Sequence, residues 1–571
     1  MRTSVGLLLL ASWVLVAAAA DEKQGSRAGT ADLILTRGEI YTGSGWAEAI
    51  AIRAGVIISV GSAQAVAADR GSHTQIRDLK GATVVPGLHD MHVHPIGSGE
   101  LHAQCIFPQG STASKVLDTV RDCIAHHPKG DWITGGQWDT SSLGEPASRA
   151  LLDRVAPDNP VALMDISVHA LWLNSKALRL AGITAASRNP DGGIIERDNG
   201  GEPSGIVRES ARALVQAAIP PPHPEQTAAA LRWALSEMLS QGITAFTDAG
   251  LDESGLQAYA TLADQGVLKQ RVVGCIAWRA GIFGSRRTDA PDPIARRNLY
   301  ARDRFRPDCI KIILDGVPTD GHTAAMLEPY ADASLADPTR SRGLLMVPPT
   351  VLNAAVTDFD ARGLTVKFHA AGDAAVHAAL DAIEAARKAN GFTGILHNVG
   401  HNSFVQPSDI ARARDLAATF EMSPYIWYPN PIIPDIRKAV GEVRMKRWIP
   451  VREAIESGAL VVPGSDWAVV PSVNPWLAIE TLVTRQKPGG GGEALGEAER
   501  ISLGQAFAMF TVNSAREMGN DSRTGRIAKG MLADLLVLDR NPFKIPVTEI
   551  HDTQVRAVLI NGELVHGTLA Q

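Results

Sequence analysis

Hydrophobic and polar positions fall into two regimes along this chain. Near both ends the apolar runs are short, β-branched and separated by glycine-containing turns. They are Ala31–Ile40, Ala49–Val60 and Gln75–Val85 at one end, and Ala533–Leu538 and Gln554–Val565 at the other. Such runs predict strands. Asn561-Gly562, inside the last of them, predicts a tight hairpin turn because both residues tolerate positive φ. Two β-rich flanks around a long middle predict one small β domain formed by both termini, from residues 30–86 and 525–571.

The middle alternates differently. Apolar bursts at Ile243–Thr247, Val272–Ala277, Cys309–Leu314, Leu364–His369 and Leu460–Pro463 are interleaved with helix-like stretches at Glu225–Leu239, Ala374–Lys388 and Pro407–Ala417. Alternation of strand and helix predicts a parallel sheet with helical crossovers, an α/β fold. Over residues 87–524 a TIM-type (β/α)8 barrel fits this pattern better than an open sheet. A Gly-, Pro- and Asp-rich stretch, about 96–224, interrupts the alternation and reads as a large insertion after the first barrel strand, bordering the substrate pocket.

Residues 1–20 stand apart. Arg2 precedes an almost wholly apolar run from Val5 to Ala20, ending in the small residues Ala18 and Ala20 before Asp21, Glu22 and Lys23. That layout predicts a cleavable signal peptide and a secreted product, periplasmic or extracellular. No later run is apolar enough to predict an integral membrane span. With 55 basic against 61 acidic side chains, the net charge is -6. Nucleic acid and anionic membranes call for a basic surface, so the expected partner is a small-molecule substrate, with a homo-oligomer left open. The four cysteines form no CxxC motif, which disfavours a cysteine-built metal site. Cys105 with Cys123 is the local pairing option; four free buried thiols are the alternative.

The chemistry gathers at strand ends. His92 and His94 share one face of a strand because their spacing is two. His369 ends the burst TVKFH, His401 follows GILHNVG, and Asp466 ends LVVPGSD. In a barrel, side chains from separate strand tips converge at the mouth. Imidazole and carboxylate there suit a divalent metal, zinc first, as one ion or two. His397 competes with His401, and the helix start at Pro407 favours His401.

The motif PGLHDMHVHP resembles the first-strand block of the amidohydrolase superfamily. The blocks VHALWLNSKAL, GEPSGIVRE, GITAFTDAG, IKIILDG, VKFHAAGDAAV and TGRIAKGMLADLLVLDRNPF resemble, in order, its amidohydrolase family 3, the N-substituted formamide deformylase-like branch. The resemblance implies a metal-dependent hydrolase of non-peptide carbon–nitrogen bonds, with the small domain of both termini forming a β-sandwich. It implies His92, His94, His369 and His401 as metal ligands and Asp466 as catalytic base. It also implies that Lys311 can be a ligand if carboxylated, since an ammonium has no lone pair; otherwise an ion pair with Asp315 is its expected role. His169 is implied to contact the substrate carbonyl. Position 400, where the family carries glutamate, is glycine here. Trp138 and His322 are further expected substrate contacts, with Asp139, Trp172, Tyr425 and Trp427 as other pocket-lining residues. Two rival functions remain: a metal-dependent decarboxylase or isomerase on the same scaffold, and a catalytically silent exported binding protein.

Overall fold

A computed structural model describes residues 29–220, 222–278, 292–333, 341–427 and 432–569. The expected signal peptide lies outside the described residues, as does the Trp427 side chain.

The N-terminal strands are β1 (Leu33–Thr36), β2 (Glu39–Tyr41), β3 (Trp46–Ala47), β4 (Ala49–Arg53), β5 (Val56–Gly61), β6 (Gln75–Asp78) and β7 (Thr83–Pro86). They divide between two sheets, one ordered β5-β4-β1-β6. The other is completed by the last three strands of the chain, which follow the barrel. After β7 comes β8 (Leu88–Val93), the first barrel strand. Only Gly87 separates the two, so sandwich and barrel share one continuous run of backbone.

The insertion builds a third sheet, which its composition conceals. Its strands are β9 (Cys105–Ile106), β10 (Ile133–Trp138), β11 (Val161–Asp165), β12 (Ala170–Leu173), β13 (Gly193–Arg197) and β14 (Pro203–Glu209), ordered β13-β14-β12-β11-β10-β9. Glycines sit inside β10 for a steric reason. A Cβ on Gly135 would lie 2.0 Å from the Cys105 carbonyl oxygen, and one on Gly136 would lie 2.3 Å from that of Met164. The sheet carries its own apolar packing around Val161, Leu163 and Trp172 on one side and Leu171, Leu173 and Val207 on the other.

The remaining barrel strands are β15 (Ile243–Leu251), β16 (Arg271–Ala277), β17 (Phe305–Ile313), β18 (Thr365–Ala370), β19 (Asn398–His401), β20 (Thr419–Met422) and β21 (Leu460–Pro463). With β8 they form an eight-stranded parallel sheet in sequence order. Its ends meet at the mouth: the Asp466 amide donates to His92 O at 2.7 Å, and the His94 amide to Trp467 O at 2.6 Å. Helices Pro224–Ser240, Asp373–Asn390 and Pro407–Asp415 occupy the alanine-rich stretches. In Asp373–Asn390 the core-facing residues Ala379, Ile383 and Ala386 recur at helical spacing, and Gly391 ends the helix at φ 74°.

Strands β22 (Leu535–Leu538), β23 (Val555–Ile560) and β24 (Glu563–Gly567) then return to the second sandwich sheet, ordered β24-β23-β22-β7-β2-β3. Asn561 and Gly562 turn β23 into β24 at φ 51° and 72°. The cysteines are paired rather than free. Cys105–Cys123 lies within the insertion, and Cys275–Cys309 joins β16 to β17, where the two residues are register partners. Among the described residues no helix is long and apolar enough to cross a membrane.

Candidate metal centre

His92 and His94 leave the end of β8, His369 the end of β18, His401 the end of β19, and Asp466 the loop after β21. The barrel brings all five together. His94 Nε2 lies 3.3 Å from Asp466 Oδ1, His92 Nε2 lies 3.7 Å from the same oxygen, and His401 Nδ1 lies 3.9 Å from Oδ2. The rings of His92 and His401 are 4.6 Å apart, and those of His401 and His369 are 4.3 Å apart. Burial and nearby lysines hold the His92 imidazole well below its ordinary pKa; burial does the same for His369 and His401, helped by neighbouring histidines and Lys311. These rings are therefore neutral at physiological pH, the form that ligates metal.

Two groups of donors fit an ion: His92, His94 and Asp466, and His92, His401 and Glu421. His401 Nε2 is buried and has no hydrogen-bond partner. An orphaned imidazole nitrogen among other nitrogen and oxygen donors is what a divalent-cation site requires. The backbone is strained at the same place, with His401 at φ 73° and Asp466 at φ 59°. Positive φ in a non-glycine residue costs on the order of 1–3 kcal/mol and collects at functional sites.

Glu421, on β20, belongs to this centre although no sequence motif marks it. Its carboxylate accepts from His92 Nδ1 at 2.5 Å and from Ser423 Oγ at 3.1 Å. Glu421 is the register partner of Gly400. A Cβ on Gly400 would lie 2.8 Å from Glu421 Oε2, and one on Gly464 would lie 2.4 Å from Oε1. The two glycines leave the space the carboxylate fills, which accounts for the absence of a side chain at position 400. The second unmarked residue is Asp248 on β15. It accepts from Tyr259 Oη at 2.9 Å, and burial pushes its pKa up to about 7. A lone acid inside an otherwise apolar strand burst was the available signal for both.

Lys311, on β17, points its Nζ at His92 Nε2, 3.0 Å away. Burial, reinforced by the neighbouring charge of Lys367, lowers its pKa. Asp315, the expected alternative partner, accepts from the backbone amides of Ala325, Ala371 and Gly372. His397 stays out of the centre: its Nε2 contacts Asp360 at 3.0 Å, and its Nδ1 accepts from the Val366 amide.

His169 reaches the centre from the insertion. Its ring lies 5.0 Å from that of His369, and its Nδ1 is held by Glu209 at 2.8 Å. Both supports are strained, with Val168 at φ 62° and Glu209 at φ 51°. The two other expected substrate contacts are elsewhere. Trp138 is buried in the insertion's core, edge-on to Trp172, and donates to Leu163 O at 3.0 Å. Its large apolar ring is worth more in that core than at a wet pocket. His322 turns away from the cavity, stacked on Tyr330 at 4.5 Å with Nε2 2.8 Å from Asp332. Tyr425 does face the site.

A cavity opens from the centre in two lobes. The larger, 420 Å³, is lined by His92, His94, Lys311, Asp248 and Arg212. The smaller, 60 Å³, is lined chiefly by apolar side chains. His169, His369, His401 and Asp466 stand on the wall of both.

Residues 75–566 match the model of the Amidohydrolase family. YtcJ of Bacillus subtilis is 29% identical over 523 residues, covering 91% of this chain and 96% of that protein. The N-substituted formamide deformylase of Arthrobacter pascens is 27% identical over 531 residues, covering 91% and 94%. Among solved structures, an uncharacterized metal-dependent hydrolase from Pyrococcus furiosus superposes with a TM-score of 0.67 at 24% identity, covering 90% of this chain and all of that one, a likeness of fold. A match across most of the chain, relatives of equal length and a shared barrel agree: this chain belongs to the amidohydrolase family, in its family 3 branch.

Proposed function

We propose that this chain is an exported, metal-dependent hydrolase that cleaves a non-peptide carbon–nitrogen bond in a small amide-type substrate. One observation carries the reading: the buried His92, His94 and His401 converge on Asp466, with the His369 ring packed on that of His401, beside an open cavity. His92, His94, His369 and His401 would hold a divalent ion, zinc by the chemistry of the set. The chemistry such an ion would supply there is a bound water of lowered pKa and a polarised substrate carbonyl.

The chain's own residues do the rest. Asp466 faces the cavity and accepts the proton of the attacking water, then returns it to the leaving nitrogen. Glu421 fixes the His92 ring through Nδ1, which keeps Nε2 directed at the centre. His169, oriented by Glu209, contacts the substrate. Lys311 is the candidate for carboxylation, because a buried amine of lowered pKa is in part unprotonated and can capture carbon dioxide.

The test combines metal analysis with one substitution. Wild type should hold a stoichiometric divalent metal that a His92→Ala, His94→Ala double variant loses. Asp466→Asn should retain the metal and lose about 10²–10⁴-fold in kcat, the usual contribution of a positioned acid–base. Retained turnover in Asp466→Asn rules out Asp466 as the base. Intact-mass measurement of Lys311-containing peptides, made without acid, should show one added carbon dioxide if the lysine is a ligand.

A further inference from the structure

We infer that the substrate is bipartite, an amide carrying a compact, uncharged apolar group on one side of the scissile bond and a larger polar portion on the other. The inference rests on the hydrolase reading and deepens it. The two lobes of the cavity share the wall formed by Ser167, His169, His369, His401, Asp466 and Val469, so a bond held at that junction projects one substituent into each lobe.

The lobes differ in chemistry and size. The smaller is walled by Ile166, Tyr425, Ile432, Ile436, Trp448 and Val470, every one of them buried. Among the described residues no lysine or arginine lines it, and Asp466 is its one carboxylate. An anionic group placed there would be desolvated without a counter-charge, which a protein interior does not tolerate. An apolar group gains instead about fourfold in affinity for each methylene it buries. The volume of 60 Å³ sets the size. Against the 420 Å³ of the larger lobe, it takes the more compact group, an isobutyl or a small ring rather than a fatty chain. The larger lobe, at 420 Å³, has charged groups of both signs on its wall, Arg212 and Lys311 facing Asp248, Asp252 and Glu100. A polar portion keeps its hydrogen bonds there.

The smaller lobe's far wall is the helix Ile432–Val440, whose Ile436 is 2% exposed. That wall can be altered without touching the junction. Ile436→Trp fills the lobe, and Ile436→Ala enlarges it.

The experiment uses the metal-loaded protein and two mirrored series of amides on one polar scaffold, R–CO–NH–polar and polar–CO–NH–R, with R as methyl, isobutyl, n-octyl or carboxymethyl. In one of the two series kcat/KM should rise at least tenfold from methyl to isobutyl and fall again for n-octyl and carboxymethyl. Ile436→Trp should abolish the isobutyl preference, and Ile436→Ala should move the optimum towards n-octyl. Flat series, a steady rise to n-octyl, a preference for carboxymethyl, or wild-type ratios in both variants would each overturn the inference. If no amide is turned over, the hydrolase reading fails by itself, and binding then decides the lobe. Isovalerohydroxamate should bind the metal-loaded protein at least tenfold more tightly than acetohydroxamate, and Ile436→Trp should erase the difference. Equal affinities reject the apolar seat.

Discussion

At the scale of single residues, the centre depends on a carboxylate that binds no substrate. His92 has two ring nitrogens and one must be spoken for if the other is to ligate. Glu421 takes Nδ1 at 2.5 Å. Its own environment is demanding: it is fully buried, it lies 3.7 Å from Lys367 Nζ, and burial raises its pKa. A group in that position is kept for what it orients. Partners of metal-ligating histidines typically tune affinity by about 10–100-fold. Glu421→Gln should therefore weaken metal binding by about that factor while the fold persists, because glutamine fills the space between Gly400 and Gly464. Competition against a chelator of known affinity measures it. Unchanged affinity would reduce Glu421 to a packing residue. The same pair of glycines shows why sequence reading falls short here. Spacing within one strand reveals His92 and His94, but Glu421 reaches them only through the register of β19 against β20 and the closure of β21 onto β8.

At the scale of elements, the barrel's helices are tied down by buried acids away from the mouth. Asp360 ends the helix Pro349–Ala361 and gathers Arg387 Nη1 at 2.8 Å, Thr393 Oγ1 at 2.8 Å, Asn390 Nδ2 at 3.0 Å and His397 Nε2 at 3.0 Å. Burial alone would raise its pKa, but these donors, His397 foremost, hold it well below the carboxylate range. A folded pKa below the unfolded one means that the acid adds stability above the unfolded value, near pH 4, and loses it as pH falls through the folded value. Asp360→Asn should cost about 2–3 kcal/mol at neutral pH, since it leaves buried donors short of an acceptor. Below about pH 4 the gap to wild type should narrow as the native aspartate protonates. Denaturant melts at two pH values decide this, and a gap that widens in acid would refute the assignment.

Elements were read from sequence with uneven success, for physical reasons. The barrel bursts were legible because buried parallel strands are apolar throughout; Leu460–Pro463 forms β21 residue for residue. The helices were legible through their period, as in Asp373–Asn390. The insertion's sheet was not, because Gly135, Gly136 and Gly205 break the apolar run where backbones press together. Its glycine content hides the strands within what reads only as an insertion. Trp138 and His322 were misplaced for a related reason: an aromatic or a histidine near a motif carries no information about which way it faces.

At the scale of the whole molecule, the sandwich is part of the metal centre's foundation. Strand β7 pairs with β22, and after Gly87 the same backbone becomes β8, which carries His92. The Gly87 amide donates to Asp534 O at 2.9 Å. Arg271, at the start of β16, forms an ion pair with Asp534 and a hydrogen bond to Asn561. The starts of barrel strands β8 and β16 are thereby anchored to the C-terminal segment. A chain ending before Leu535 would leave β7 without its partner and remove Leu536, Leu538, Val558 and Ile560, all buried against the barrel core. Burial of each such side chain is worth about 1.5–3 kcal/mol, so their combined loss is comparable to the whole stability of an ordinary domain. The truncated chain should thus be sensitive to protease and bind metal poorly, although it keeps every ligand. Supplying the missing segment as a separate chain should restore metal binding in proportion to its occupancy. Full metal affinity in the truncated chain, with wild-type protease resistance, would show instead that the barrel holds its centre alone and that the sandwich serves some other purpose.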